Sequence, residues 1–237
     1  MLAAGVATLL SACTNSANSN PDLVAGKKLF VSKCGSCHTL ARAGTKGTVG
    51  PNLDDAFQQP LKDGLKRSGI EGVVHDQILY PPSFALDEGG KRPDGSQPMP
   101  AKLVTGDDAA NVAAYVASVV ARPGKDTGLL ANAVPEAGGG QPATAKNGVL
   151  SIAADPTGQL AFATKQASAP PGKLTVEMPN KSGTPHDIVI DGKGRGQVVQ
   201  NGGVSKFTAT FGPGRYTYYC SVDAHRQAGM QGTLTVK

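Results

Sequence analysis

Gly214-Arg215-Tyr216-Thr217-Tyr218-Tyr219-Cys220, close to one end of the chain, and Cys34-Gly35-Ser36-Cys37-His38, close to the other, are the stretches whose reading decides the fold. In extended backbone side chains alternate, so Tyr216, Tyr218 and Cys220 share one face of a strand. Further strand-like runs lie around it: Val149–Ile152, Leu174–Glu177, Ile188–Ile190, Phe207–Thr210 and Thr233–Val236, with Pro171-Gly172 and Pro213-Gly214 as turn residues between them. This spacing predicts an all-β antiparallel sandwich over residues 146–237. The second stretch sits in a region of different texture. Between Asp22 and Arg122 the pattern is helical, and Val112, Tyr115, Val116 and Val119 recur at i, i+3, i+4 and i+7, setting one stripe of a helix against a core. Thr105 is the expected N-cap of that helix, Asp108 its third residue, and Arg122-Pro123-Gly124 its stop. Glu71–Leu79 reads as another helix.

A chain of 237 residues accommodates one large domain or two small ones, and the separation of the two stretches favours two, at 22–122 and 146–237. Between them, residues 123–145 carry Gly138-Gly139-Gly140 and scattered Pro and Ala, the composition of a flexible coil with a root-mean-square reach of about 25 Å. Formal charge is +1 over 22–122, −1 over the linker and +5 over 146–237, so the net +5 lies almost wholly in the second domain. A basic face of this kind suits an acidic partner or anionic lipid, or is simply solvated. The clustered basic and aromatic pattern of nucleic-acid binding is absent. Met1 to Ala12 is apolar but shorter than the roughly 20 residues of a membrane helix, and it runs into Leu10-Ser11-Ala12-Cys13. That tetrapeptide resembles the bacterial lipobox, although no Lys or Arg precedes the apolar run. The resemblance implies a signal over 1–13, a diacylated Cys13 and a polar tether over 14–21, with a stray unpaired cysteine as the alternative.

The remaining cysteines fall in two further motifs, leaving none for a disulfide. Two cysteines spaced by two residues and followed by histidine allow both thiols to form thioethers to one porphyrin while the imidazole ligates its iron. Structural zinc is the competing use of Cys34, Cys37 and His38, but it needs further Cys or His nearby, and that region holds only His75. Cys220-x4-His225-x4-Met230 presents a thiolate, an imidazole and a thioether from one segment. A cupric electron-transfer site takes two imidazoles and a thiolate near one plane, with a weak axial thioether. The second imidazole falls to His186 in Thr184-Pro185-His186-Asp187, the only other histidine of this domain. A reduced core cysteine with incidental His and Met is the bland alternative.

Over about 100 residues the first domain resembles the class I cytochromes c. Gly26-x3-Phe30 precedes the motif as in that family, and Gly50-Pro51-Asn52-Leu53 matches its proline loop. The resemblance implies an all-α domain with one covalent haem c, His38 as proximal ligand, and the Pro51 carbonyl orienting it. It implies Met99, in Gln97-Pro98-Met99-Pro100 before the last helix, as the distal ligand, with His75 as the rival. A Met/His pair raises the iron potential and leaves no open position for oxygen. Over about 90 residues the second domain resembles the cupredoxins, and its ligand spacing is more similar to auracyanin than to plastocyanin. That implies a Greek-key sandwich holding one type 1 copper through His186, Cys220, His225 and Met230.

Residue counts exclude larger assemblies. A binuclear copper centre needs two cysteines in the last loop, where Ala224 stands instead. Nitrite reductases and multicopper oxidases need more than His38, His75, His186 and His225, and a dihaem peroxidase needs a second attachment motif. The expected function is therefore electron transfer without bond chemistry, by a carrier lipid-anchored at the extracytoplasmic face of a bacterial membrane. Its expected partners are membrane-bound redox complexes: a quinol-oxidising complex, a haem–copper oxidase or a photosynthetic reaction centre. A copper-binding or redox-sensing lipoprotein, and a dedicated donor subunit of one enzyme, are the alternatives.

Overall fold

The protein is represented by a computed structural model that describes residues 20–82 and 98–237. The expected signal, Cys13 and nearly all of the tether lie outside the described residues. Buried apolar side chains fall into two separate cores, one built from residues 30–120 and the other from residues 150–236. These are the two domains, helical then β.

Helix α1 (Leu23–Leu29) begins where the Asp22 carboxylate accepts the backbone N–H groups of Val24 and Ala25, and it runs into a π-helical turn, Phe30–Cys34. Two short strands, β1 (Thr39–Leu40) and β2 (Thr45–Lys46), form a hairpin after the attachment motif, followed by α2 (Leu53–Lys62), α3 (Arg67–Leu79) and α4 (Gly106–Val119). The stripe Val112, Tyr115, Val116 and Val119 is buried as its spacing predicts. Helix α1 crosses α4 in close contact, because a β-carbon at Gly26 would come within 2.1 Å of the Asn111 carbonyl oxygen. Phe30 and Tyr115 meet one turn further on, with ring centroids 6.4 Å apart. Thr105 does precede α4, but its hydroxyl makes no capping bond, and the helix ends at Val119, ahead of Pro123.

The second domain packs a six-stranded sheet, in the order β3-β5-β11-β10-β7-β8, against a three-stranded one, β4-β6-β9. The strands are β3 (Ala143–Thr144), β4 (Val149–Ser151), β5 (Gln166–Ala169), β6 (Gly172–Pro179), β7 (Val189–Ile190), β8 (Gly194–Arg195), β9 (Val204–Phe211), β10 (Gly214–Tyr219) and β11 (Gln231–Val236). Every expected run lies in or against a strand, while β3, β5 and β8 are too short or too small-sided to show an alternation. The sandwich is not wholly antiparallel. β3 with β5, β5 with β11, and β4 with β6 pair in parallel, since these chain segments return by crossovers rather than hairpins. Opposite the buried Tyr218 the register places Gly232, where a β-carbon would fall 2.3 Å from the tyrosine ring. The Tyr218 hydroxyl donates to the Thr164 carbonyl at 2.7 Å, so the buried phenol is satisfied.

Residues 123–145 are not the free coil their composition predicts. Asp126 is buried against Lys27 and Arg42, each 2.9 Å away, and accepts the Tyr115 hydroxyl at 2.9 Å. Lys27 also donates to the Leu130 carbonyl, and Leu130 and Val134 pack on the helical core. From Pro135 onward the segment belongs to the β domain: Gln159 donates to the Pro135 carbonyl at 3.0 Å, Gly140 donates to the Ala163 carbonyl at 2.9 Å, and β3 starts at Ala143, ahead of the expected boundary at 146. Partners distant in sequence give the segment contacts that its own composition does not reveal.

Candidate metal centres

In the helical domain the attachment motif begins in the π-helical turn. Cys34 is buried, Cys37 is half-buried, and His38 follows them directly. The backbone N–H groups of Cys37 and His38 both donate to the Cys34 carbonyl, at 3.1 and 2.9 Å, closing the motif into a turn. The His38 imidazole donates from Nδ1 to the Pro51 carbonyl at 2.9 Å, which leaves Nε2 as the nitrogen able to ligate a metal. Gly50 is required beside it, because a β-carbon there would lie 2.4 Å from His38 Cε1. Two adjoining cavities, of about 240 and 170 Å³, open in front of this ring. Cys34, His38, Pro51 and Met99 line both cavities, and Phe57, Ile78 and Val116 help to wall the second. Burial, and then the neighbouring Cys37, push the Cys34 thiol up to about 12.

His75 stands elsewhere. It lines a separate cleft with Glu71, Asp76 and Asp107, its Nδ1 lies 3.8 Å from Asp76, and it borders neither cavity in front of His38. Met99, between its two prolines, is the thioether that the fold brings to the His38 cavities.

In the β domain three chain segments converge. Pairing of β7 with β10 runs the segment before β7, which carries His186, alongside the segment after β10, which carries Cys220, and the two side chains meet with Sγ 3.8 Å from Nδ1. A short helix, α5 (His225–Ala228), then turns the chain back so that Met230 precedes β11. Backbone bonds fix this loop: Met230 donates to the His225 carbonyl at 2.9 Å, Cys220 donates to the Met230 carbonyl at 3.1 Å, and Gly229 takes the left-handed conformation at φ 109°. His186, Cys220 and Met230 have no exposed surface, and His225 has 6%.

The donor atoms form a triangle. His186 Nδ1 lies 3.2 Å from His225 Nδ1, and Cys220 Sγ lies 3.8 and 3.4 Å from the two nitrogens. A trigonal metal with bonds of about 2.0–2.3 Å requires donor separations of about 3.5–3.8 Å, so this triangle has the size of a metal site. Both nitrogens turned inward are Nδ1, and His186 Nε2 is buried without a partner. Burial, and then His225, push the His186 imidazole down to about 4 against the opposing charge of Asp187; burial likewise lowers His225. Both shifts favour the neutral imidazole, the form able to ligate a metal. Burial pushes the Cys220 thiol up to about 12, although backbone N–H groups of Asp187 and Val222 favour the thiolate. Metal binding at neutral pH must therefore release that proton.

Sequence reading missed Asp187. Its carboxylate is wholly buried, accepts the Ser221 N–H at 2.7 Å and the Ser221 hydroxyl at 2.6 Å, and pairs with Arg195 at 3.0 Å. Its place directly after a ligand histidine is the one signal that could have revealed it.

Both sites define redox modules, one suited to haem c and one to a single type 1 copper. Residues 23–119 match the cytochrome c family, and residues 150–237 match the copper-binding proteins of the plastocyanin/azurin family. The chain joins a cytochrome c domain to a plastocyanin/azurin-type domain, and its role is redox electron transfer. Similar solved structures include dithionite-reduced auracyanin from the photosynthetic bacterium Roseiflexus castenholzii, at 24% identity over 39% of this chain and 99% of that one, TM-score 0.35. Another is auracyanin A from the green thermophilic photosynthetic bacterium Chloroflexus aurantiacus, at 19% identity over 41% and 100%, TM-score 0.34.

Proposed function

We propose that this chain is a membrane-anchored carrier that passes single electrons between membrane-bound redox complexes on the extracytoplasmic side of a bacterial membrane. The observation that carries the reading is two complete donor sets in one chain. His38 and Met99 border one pair of cavities beside Cys34 and Cys37, and His186, Cys220 and His225 gather within 4.8 Å of one another ahead of Met230. In this reading Cys34 and Cys37 hold the porphyrin, His38 and Met99 ligate its iron, and Pro51 fixes the imidazole. His186, Cys220, His225 and Met230 hold copper. When bound, the two groups each supply a one-electron couple, and the chain sets burial, potential and docking surface without bond chemistry. The copper donors are buried and His38 and Met99 are half-buried, an arrangement suited to outer-sphere exchange, which needs no open coordination position.

The anchor rests on Leu10-Ser11-Ala12-Cys13. Among the described residues no helix is long and apolar enough to cross a membrane, so the lipid on Cys13 would supply attachment. Two measurements test the reading together. An anaerobic redox titration followed optically should resolve two one-electron transitions, one at the haem bands and one at an intense visible copper band that Cys220→Ser removes. Cys13→Ser should move the protein from the membrane to the soluble fraction after a high-salt wash. A single transition rejects the two-centre carrier, and persistent membrane attachment of a processed Cys13→Ser chain rejects the lipid anchor.

A further inference from the structure

The copper-ligand loop faces the haem-attachment segment of the same chain. Gly35, Thr45 and Lys46 of the cytochrome domain and Ala228 and Gly229 of the copper loop line one cavity of about 140 Å³. Gly35 follows Cys34 directly, and Gly229 precedes Met230 directly, so each domain's contribution to the lining lies one residue from an expected ligand or attachment point. The contact is close at both ends. A β-carbon at Gly229 would sit 3.9 Å from Lys46 Nζ, and one at Gly158 would sit 2.8 Å from the Ser32 α-carbon and 2.9 Å from its carbonyl oxygen. Gly158 adopts φ +86°, so both its backbone conformation and its proximity to Ser32 require the missing side chain.

The connecting segment has no slack with which to leave this arrangement. Val134 is packed on the helical core, and the next residue, Pro135, is bonded to Gln159 of the β domain. Consecutive residues are thus fastened to opposite domains, and a chain step spans at most about 3.8 Å.

We infer that the docking partner of the copper loop is the chain's own cytochrome domain, and that the seam Ser32/Gly35/Lys46 against Gly158/Ala228/Gly229 is an internal electron route. With both ligand sets loaded as proposed above, a single electron crosses the seam, lost by one centre as it is gained by the other, with no proton or ligand moving. Exchange is then set by fixed geometry rather than by diffusion of a tethered domain, and its rate does not depend on solvent viscosity.

The experiment compares the loaded wild-type protein with two variants. Ser32→Trp drives a bulky ring into the seam, and a second variant carries Ser32→Trp plus twelve Gly/Ser residues inserted between Val134 and Pro135. The wild type should scatter as one compact particle, with a radius of gyration of about 18 Å for a chain of this length. Flash reduction of its haem should reach the copper at a rate independent of protein concentration and viscosity. Both variants should keep the haem and copper spectra and exchange electrons at least tenfold more slowly, and the double variant, whose inserted residues supply the missing slack, should also enlarge in scattering and exchange in a viscosity-dependent way. Rates and dimensions unchanged in the double variant overturn the seam while leaving the two-centre carrier intact. A wild-type protein that fails to load both metals overturns the carrier itself, and the seam with it.

Discussion

Asp187 binds Ser221 twice, accepting its backbone N–H at 2.7 Å and its hydroxyl at 2.6 Å, and so ties the residue after one copper-site ligand to the residue after another. His186 and Cys220 come from different segments, and this pair of bonds sets their relative position before any metal arrives. Asp187→Ala should weaken copper binding about 10- to 100-fold, the range found when groups that orient ligands are removed. Asp187→Asn should lose less, because an amide oxygen still accepts the Ser221 N–H. Competition against a copper chelator measures both, and wild-type affinity in Asp187→Ala would show that the carboxylate orients nothing.

Asp126 neutralises Lys27 and Arg42 within the cytochrome domain although it follows the last helix of that domain. Its side chain is 1% exposed and that of Lys27 is 8% exposed. Asp126→Ala leaves two cations and the Tyr115 hydroxyl without this partner, a change that in buried pairs costs about 3–5 kcal/mol. Urea unfolding followed at the haem absorption should report that loss. A loss below about 1 kcal/mol would class the cluster with surface pairs.

Met99 and His75 separate cleanly by position, one bordering the cavities before His38 and the other a different cleft. Met99→Ala should remove the weak thioether-to-iron absorption band and lower the haem potential, since a thioether ligand raises it. His75→Ala should leave both unchanged. The opposite pattern would reassign the distal ligand.

The copper-free β domain should lose stability in acid. With His186 held near 4 in the folded chain against an ordinary value of 6.5, the unfolded state binds the extra proton between those limits. The stabilisation from a neutral His186 is therefore complete above pH 6.5 and is withdrawn as pH falls toward 4, a loss of up to about 3 kcal/mol. His225, also lowered by burial, acts in the same direction. Denaturation of the copper-free protein followed by tyrosine near-ultraviolet circular dichroism should show this slope, and His186→Asn should reduce it. A flat profile from pH 7 to 4.5 would mean that the histidines are not buried as neutral rings.

The motifs that were legible are those whose chemistry is contiguous. Cys34, Cys37 and His38 must be adjacent to serve one porphyrin, and Cys220, His225 and Met230 come from one loop, so spacing alone exposes them. Tyr216, Tyr218 and Cys220 were placed on one face by alternation, and the structure buries Tyr218 and Cys220 completely. His186 was legible only by elimination among four histidines. Asp187, Asp126 and the glycines at the seam gave no such signal, because a charge or a missing β-carbon takes its meaning from what stands opposite it.

The sequence by itself determined the helical and strand patterning of the two domains, the helical stripe against the first core, and the motifs Cys34-x2-Cys37-His38 and Cys220-x4-His225-x4-Met230, since periodicity and spacing are properties of neighbours along the chain. Met99 and the role of Pro51 were implied by the resemblance to class I cytochromes c. Only the tertiary structure decided that residues 126–144 are held rather than free, that three strand pairs are parallel, and that Ser32 meets Gly158. Those contacts join residues tens to more than a hundred positions apart, and each depends on the burial and hydrogen bonding of both partners at once. A linker rich in Gly, Pro and Ala is flexible only until the two surfaces it joins offer it partners, and here Lys27, Arg42 and Gln159 do so.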